Sequence, residues 1–169
     1  MDATAFVAVA TACSPQVDIA TSRALVATES AFNPWAIGVV NGALERQPRT
    51  RSEALATARM LQASGANFSV GLGQINRSNF ERLGLTLDAA FQPCANLAAM
   101  QSVLMECFAK ARDSPSDSEG DQAALRRALS CYYSGNFATG FRQGYVRKVL
   151  AASAAEPPTR LLPLPQENP

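Results

Sequence analysis

One glutamate, Glu29, combines a position and a setting that favour acid chemistry. The helical pattern of residues 16–30 must end before the Asn-Pro pair at 33–34, since the residue before a proline disfavours helix, so Glu29 lies in the last helical turn. The partial negative charge of a helix C-terminus disfavours a carboxylate and so raises the pKa of Glu29. Apolar neighbours that can desolvate it follow in the sequence: Phe32, Trp35 and Ile37.

A carboxylic acid that stays protonated near neutral pH is what cleavage of a glycosidic bond requires, because the leaving oxygen needs a proton. The chain has no histidine, which excludes Ser-His-Asp and Cys-His nucleophiles and every zinc site with a histidine ligand. Acid–base chemistry therefore falls to carboxylates, lysine, tyrosine or cysteine. The alternative for Glu29 is an ordinary solvated glutamate at a helix end.

The composition is that of a globular chain rather than a disordered or polycationic one. Of the 169 residues, 47% are hydrophobic and 17% are charged, with 15 basic against 14 acidic side chains. The length corresponds to about one domain. The near-neutral charge argues against a general nucleic-acid clamp.

The cysteines predict two disulfides formed in an oxidising compartment, since no C-x-x-C pair suggests a zinc ribbon or a thioredoxin-type site. If Cys94 and Cys107 flank one helix, their separation along it is about 20 Å, beyond the Cα reach of a disulfide, roughly 7 Å, so they are not expected to pair with each other. Two pairings remain: Cys13–Cys94 with Cys107–Cys131, or Cys13–Cys107 with Cys94–Cys131. The first is preferred because Cys107 and Cys131 lie on consecutive predicted helices.

The first apolar stretch, Ala3–Cys13, is too short to span a bilayer, which takes about 20 residues. Asp2 stands where a signal peptide would carry a basic residue, so the stretch is predicted to be a helix. Export to an oxidising compartment would then need a leader outside this sequence or an unusual start.

The remaining pattern predicts a mainly α fold with a small β-hairpin or extended segment near 67–76, where β-forming residues alternate with glycines. Helices are predicted over residues 3–11, 16–30, 52–64, 96–111, 122–133 and 141–154, with short helical pieces at 78–83 and 86–91. Five of the ten prolines fall in 156–169. The expected organisation is therefore one domain over residues 1–154 and a proline-rich tail or linker over 155–169.

Four sequence blocks place Glu29 in a wider pattern. They are ESAFNP at 29–34, GLGQIN at 71–76, ALSCYYSGN at 128–136 and GYV at 144–146. In this order and at these spacings, residues 13–150 resemble the lysozyme-like lytic transglycosylases, in particular the VirB1-type enzymes of type IV secretion systems. The lysozyme-like α fold that the resemblance implies agrees with the predicted helices.

By that resemblance, Glu29 is the only catalytic acid and base. It protonates the bond between N-acetylmuramic acid and N-acetylglucosamine and then, as a carboxylate, removes the proton of the muramyl 6-hydroxyl. The product is a 1,6-anhydro sugar, and no metal or cofactor is required. Because the substrate's own hydroxyl attacks, a second enzymic carboxylate is not needed.

Five further residues are candidate substrate ligands: Ser30, Gln74, Asn76, Tyr132 and Tyr145. Ser30 matches the family's Glu-Ser pair and is expected to hydrogen-bond Glu29 or position the substrate. The amides of Gln74 and Asn76 suit N-acetyl and hydroxyl groups. Tyr132 is expected to orient Glu29 through its hydroxyl or to line the cleft, and Tyr145 to lie at a sugar subsite. The alternatives are an ordinary helix-terminal hydroxyl for Ser30, turn chemistry for the amides and core packing for the tyrosines.

Two positions depart from the family pattern. Gly73 stands where a methionine is common, which leaves one apolar wall of a sugar subsite without its residue. Tyr133 stands where an asparagine is common, so that asparagine's hydrogen bonds are missing or replaced. Trp35 can stack on a sugar face or pack in the core.

The resemblance implies an exported, periplasmic enzyme that opens peptidoglycan locally so that a secretion or conjugation apparatus can be assembled. The expected partners are glycan strands and, through the tail, secretion-system components; neither nucleic acid nor a membrane span is expected. A hydrolytic lysozyme with the same acid is the nearer alternative. A non-catalytic peptidoglycan-binding assembly factor is the other, suggested by Gly73, Tyr133 and the tail.

Overall fold

The computed structural model describes residues 1–113 and 120–154, so the predicted tail at 155–169 lies outside the described residues and the division into domain and tail stays a prediction. The helices are α1 (Ala3–Cys13), α2 (Ile19–Ser30), α3 (Arg51–Ala63), α4 (Pro93–Arg112), α5 (Gly120–Ser134), α6 (Thr139–Arg142) and α7 (Tyr145–Ala154). The strands are β1 (Ile37–Val39), β2 (Phe68–Val70) and β3 (Ile75–Asn76). The prediction of a mainly α fold with a small hairpin near 67–76 is confirmed.

The helix that carries Glu29 begins later than predicted. The sequence predicts a start at residue 16, but α2 begins at Ile19 because Asp18 caps it, its carboxylate accepting hydrogen bonds from the backbone N–H groups of Ala20 and Thr21. The end is as predicted: Ala31 takes a left-handed conformation (φ 48°) and ends the helix at Ser30.

The larger of two hydrophobic cores lies among the helices and is called the helical core. Its largest fully buried side chains are Phe6, Leu25, Leu72, Leu97, Met100 and Leu129. Disulfides tie these helices together: Cys13–Cys94 joins α1 to α4, and Cys107–Cys131 joins α4 to α5. This is the pairing that the sequence favoured.

The second core, called the sheet core, lies beneath the three strands. It consists of Ile37, Ala54, Leu55, Ala58, Phe68, Val70, Ala90 and Phe91. The sheet has the order β1-β2-β3 with antiparallel pairing, Val70 lying opposite Ile37 on one side and Ile75 on the other. Strand β1 was not predicted, because three residues are too few to show an alternating pattern.

Three predicted helical segments are shorter or broken. Residues 78–83 and 86–91 reduce to the 3₁₀ turns Arg77–Asn79 and Ala89–Phe91. The segment 141–154 divides into α6 and α7 at Gly144, whose φ of +76° breaks the helix. Within residues 1–113 and 120–154, the structure contains no helix with the length and apolar character needed to cross a bilayer.

Candidate active site

A cleft of about 680 Å³ lies where the helices meet the sheet. The helices and the segment after α5 contribute Glu29, Val103, Tyr132, Tyr133, Ser134, Gly135, Thr139 and Gln143. The sheet and its neighbours contribute Gly38, Val39, Val40, Asn67, Ser69, Gln74, Ile75, Asn76, Ser78 and Asn79. Among these lining residues, Glu29 is the one carboxylate.

Glu29 extends from the last turn of α2 into the cleft, as the sequence predicts. Desolvation by the surrounding protein raises the pKa of Glu29 to about 7, against the lowering effects of a hydrogen bond from Tyr145 and the positive charge of Lys148. The three apolar neighbours expected to desolvate it contact the two cores: Phe32 packs edge-to-face on Phe6, Ile37 is part of the sheet core, and the partly buried Trp35 packs against it.

Tyr145, the first residue of α7, donates its hydroxyl hydrogen bond to Oε1 of Glu29. Its side chain is buried, and burial together with the negative charge of Glu29 raises the pKa of Tyr145 far above its usual value, so the phenol remains a neutral donor. The sequence predicted a sugar subsite at this tyrosine. The structure places it behind the carboxyl group, outside the residues that line the cleft.

Tyr132 lines the cleft, one of the two roles expected of it. Its hydroxyl does not orient Glu29; it donates to the backbone carbonyl of Gly73 at 2.5 Å. Burial raises the pKa of Tyr132 well above its usual value, and the charge of Glu29 adds to the effect. Tyr132 therefore joins α5 to the glycine-rich turn between β2 and β3.

The glycine at position 73, where the family commonly has methionine, has a steric explanation. A Cβ at this position would lie 2.9 Å from Cβ of Met100 and 3.0 Å from the Tyr132 hydroxyl. Met100, on α4, is fully buried in the helical core. The space beside residue 73 is thus already filled by Met100 of α4 and by Tyr132 of α5. A side chain at position 73 therefore has no room.

Gln74 lines the cleft, but its amide nitrogen is engaged. Nε2 donates to the carbonyls of Ala36 (3.1 Å) and Gly71 (2.9 Å), and the residue has a left-handed backbone (φ 47°). A Cβ at Gly38 would lie 2.7 Å from Oε1 of Gln74, so the amide lies directly over β1. Gln74 ties β1 to the glycine turn, and Oε1 is its remaining polar atom for a ligand.

Asn76 and Ser30 also form bonds within the protein. The Asn76 amide donates to Asn67 (2.8 Å) and Ser69 (3.2 Å), and its oxygen accepts from the backbone N–H (3.0 Å) and hydroxyl (2.7 Å) of Ser78. The Ser30 hydroxyl donates to the carbonyl of Val26 at 3.2 Å within α2. Sugar binding by these two residues stays a prediction, and for Asn76 it would require exchange of existing bonds.

Two important residues were not predicted from the sequence. Asn96, fully buried on α4, accepts from the N–H of Gly73 (2.7 Å) and donates to the carbonyls of Val70 (3.0 Å) and Ala90 (2.8 Å), which fixes the glycine turn. Tyr133 stacks on Tyr145, with ring centroids 4.5 Å apart. An asparagine inside an apolar helical pattern was the available signal for Asn96, since a buried amide needs partners.

A model of the transglycosylase SLT domain matches residues 7–153. The chain is 43% identical over 170 residues to the type IV secretion system protein virB1 of Brucella suis, covering 97% of this chain and 71% of that protein. It is 37% identical over 162 residues to the protein virB1 of Rhizobium radiobacter, covering 95% of this chain and 65% of that protein.

No solved structure matches the chain significantly. The resemblance to VirB1-type lytic transglycosylases, stated from the four sequence blocks, is confirmed. Because the domain match spans nearly all of the described residues and the virB1 relatives align over most of their own length, the chain belongs to the transglycosylase SLT family and is a lytic transglycosylase, an enzyme that cleaves glycosidic bonds.

Proposed function

We propose that the enzyme cleaves the bond between N-acetylmuramic acid and N-acetylglucosamine in peptidoglycan, with Glu29 as its acid and base, and releases a 1,6-anhydro sugar. The observation that carries the proposal is a desolvated carboxyl group in the cleft whose pKa is raised to about 7. At that pKa both the acid and the carboxylate form are accessible near neutral pH, and the reaction uses each in turn.

The hydrogen bond from Tyr145 supports an assignment of the two carboxyl oxygens of Glu29. Since the tyrosine hydroxyl donates to Oε1, that oxygen already accepts a hydrogen bond, and the acidic proton is carried by Oε2. In the first step, Oε2 gives its proton to the bridging oxygen as the bond from the muramyl C1 breaks. The leaving chain then ends in a free hydroxyl, and positive charge develops at C1.

In the second step the muramyl 6-hydroxyl attacks C1 and loses its proton to the Glu29 carboxylate. The C1–O6 bond replaces the broken glycosidic bond, and Glu29 is again protonated, so no water is consumed. A second carboxylate is not required, which fits a cleft whose described lining has Glu29 as its single carboxylate. The positive charge of Lys148 favours the carboxylate between the two steps.

The cleft walls suit a neutral glycan. Amide and hydroxyl groups predominate among the polar lining residues. Such groups bind N-acetyl and hydroxyl groups through hydrogen bonds. We therefore assign the sugar backbone of the strand to this cleft, with Gln74 Oε1 as one of its hydrogen-bond acceptors.

The names of the relatives support a biological setting for the enzyme. The Brucella relative is named as a type IV secretion system protein, and the two disulfides of this chain suit an oxidising compartment. We place the enzyme in the periplasm, where it opens the cell wall locally for assembly of such a system. Contacts with secretion components through residues 155–169 belong to the same proposal.

Digestion of purified cell-wall sacculi in water enriched in oxygen-18 tests the reaction. Mass spectrometry of the released muropeptides should show anhydromuramyl ends without the label, since no water enters the product. Labelled reducing ends would instead identify a hydrolytic lysozyme. Binding to sacculi without release of fragments would identify an assembly factor, and either result overturns the proposal.

A further inference from the structure

Tyr133 lies on α5 beside Tyr145, the hydrogen-bond donor to Glu29, and makes two contacts with the junction between α6 and α7. Its ring stacks on that of Tyr145, with centroids 4.5 Å apart and planes 17° from parallel. Its hydroxyl donates to Oε1 of Gln143 at 2.7 Å. Gln143 and Tyr145 flank Gly144, the residue at which α6 and α7 separate. Tyr133 therefore contacts the α6–α7 junction (residues 143–145) on both sides of Gly144.

The α6–α7 junction needs such support because it carries Tyr145, the hydrogen-bond donor to Glu29. Tyr145 is the first residue of α7, and its neighbour Gly144 has a left-handed backbone (φ +76°), which glycine adopts with little restriction. A small rotation at this point moves the tyrosine hydroxyl away from the carboxyl group. Stacked aromatic pairs contribute beyond the area they bury, and here the stack fixes the ring plane of the donor.

The charged and titratable groups that act on Glu29 in the structure come from two helices. Tyr145 and Lys148, which act on the Glu29 pKa, belong to α7, and Tyr132, whose own pKa is raised by the charge of Glu29, belongs to α5. Tyr133 makes no hydrogen bond to Glu29; its hydroxyl is engaged with Gln143. An effect of Tyr133 on the acid is therefore transmitted through Tyr145.

We propose that Tyr133 is a positioning residue, which holds the Tyr145 hydroxyl on Glu29 through its ring stack and its hydrogen bond to Gln143. The proposal rests on the function proposed above, in which Glu29 is the acid. It also gives the tyrosine that stands in place of the family's common asparagine a definite task. The alternative is that the exposed part of the ring, 45% of the residue, serves as a platform for a sugar.

The direct test is the pKa of Glu29, measured by carbon-13 NMR on protein labelled at the glutamate carboxyl carbons. The Glu29 signal is assigned by its loss in Glu29→Gln. A hydrogen bond to the carboxylate lowers its pKa, so Tyr145→Phe should raise the Glu29 pKa above its wild-type value of about 7. Tyr133→Leu should raise it by about half as much, and Tyr133→Phe, which keeps the ring, by less.

Combination of the variants separates positioning from an independent effect. If Tyr133 acts through Tyr145, the double variant Tyr133→Leu/Tyr145→Phe has the same Glu29 pKa as Tyr145→Phe alone. Phe141→Leu is the matched control: Phe141 is equally exposed, at 45%, and lies on α6 outside the residues that line the cleft. In Phe141→Leu, the pKa of Glu29 should remain that of the wild type.

Kinetics on sacculi supply the second readout. The proposal predicts that Tyr133→Leu lowers kcat with little change in KM, and that its pH profile moves with the NMR pKa. A raised KM with an unchanged Glu29 pKa would overturn it in favour of the sugar platform. An unchanged pKa in the conservative Tyr133→Phe and also in Tyr133→Leu would overturn it outright. Full activity of Glu29→Gln would instead defeat the proposed function, whatever the NMR pKa values show.

Discussion

The two sides of the cleft are built differently. On the helical side, disulfides connect α1 to α4 and α4 to α5, and a tyrosine hydroxyl is directed at the desolvated Glu29. On the sheet side, short strands are held by amide side chains that bind backbone groups: Gln47 donates to and accepts from Ile37 at 2.9 and 2.8 Å, and Gln74 donates to Ala36. The helices thus fix the acid, and the strands fix the shape of the glycan surface.

The largest difference in stability between the two sides should come from the disulfides. Chain-entropy estimates give a loss of about 4–5 kcal/mol for Cys13→Ala/Cys94→Ala and about 3–4 kcal/mol for Cys107→Ala/Cys131→Ala, because the first closes the longer loop. On the sheet side, Gln47→Ala should cost only about 1 kcal/mol. Denaturant unfolding measures the free energy of unfolding of all three variants. A loss for Gln47→Ala equal to that of either disulfide variant would contradict this difference between the two sides.

The next largest effect is the pH dependence of stability at Glu29, which distinguishes this residue from solvated carboxyl groups. Glu29 has its pKa raised to about 7 from 4.5, so the stabilisation of the native state by the neutral acid is complete below about pH 4.5 and is lost as the pH rises through 7. Relative to the wild type, Glu29→Gln should therefore become more stable with rising pH, by about 3 kcal/mol at pH 8. The exposed Glu45→Gln serves as control, and parallel pH profiles of the wild type and Glu29→Gln would contradict the burial of this charge.

A third test concerns the contact between the two sides at Gly73. Gly73→Ala should destabilise the protein by about 1–3 kcal/mol, since the added Cβ meets Met100 and the Tyr132 hydroxyl at 2.9 to 3.0 Å. It should also lower activity by displacing Tyr132. Gly42→Ala is the control, because its Cβ would meet Val39 at an ordinary 3.4 Å. Thermal unfolding and sacculus digestion decide the matter, and a fully stable, active Gly73→Ala would refute the steric explanation.

The smallest effect is expected at Asn76. Because its amide bonds Asn67, Ser69 and Ser78, Asn76→Ala should cost about 1 kcal/mol of stability and leave KM for sacculi nearly unchanged. Urea unfolding and initial rates measure the two quantities. A large rise in KM at unchanged stability would restore the sugar-binding role that the sequence predicts.

The sequence predicted what depends on local pattern. The helix end at Glu29 follows from its Asn-Pro neighbours, and the disulfide pairing from two consecutive helices. The start of α2 was misplaced because Ser14 and Asp18 are both good caps, and only tertiary contacts choose between them. The contact of Tyr145 with Glu29 joins residues 116 apart, so no local pattern contains it. The contact between Met100 of α4 and Gly73 is likewise absent from any local pattern, because the two residues are far apart in the sequence.

The most direct test of the account is the rate at which Glu29→Gln digests purified sacculi, compared with the wild type and with Glu45→Gln. Glutamine keeps the shape of the side chain but cannot supply the proton, so the rate of Glu29→Gln should fall by about 10²- to 10⁴-fold. Glu45→Gln should match the wild type. A Glu29→Gln rate within a few-fold of the wild type, in a folded protein, would contradict the central claim that Glu29 is the acid.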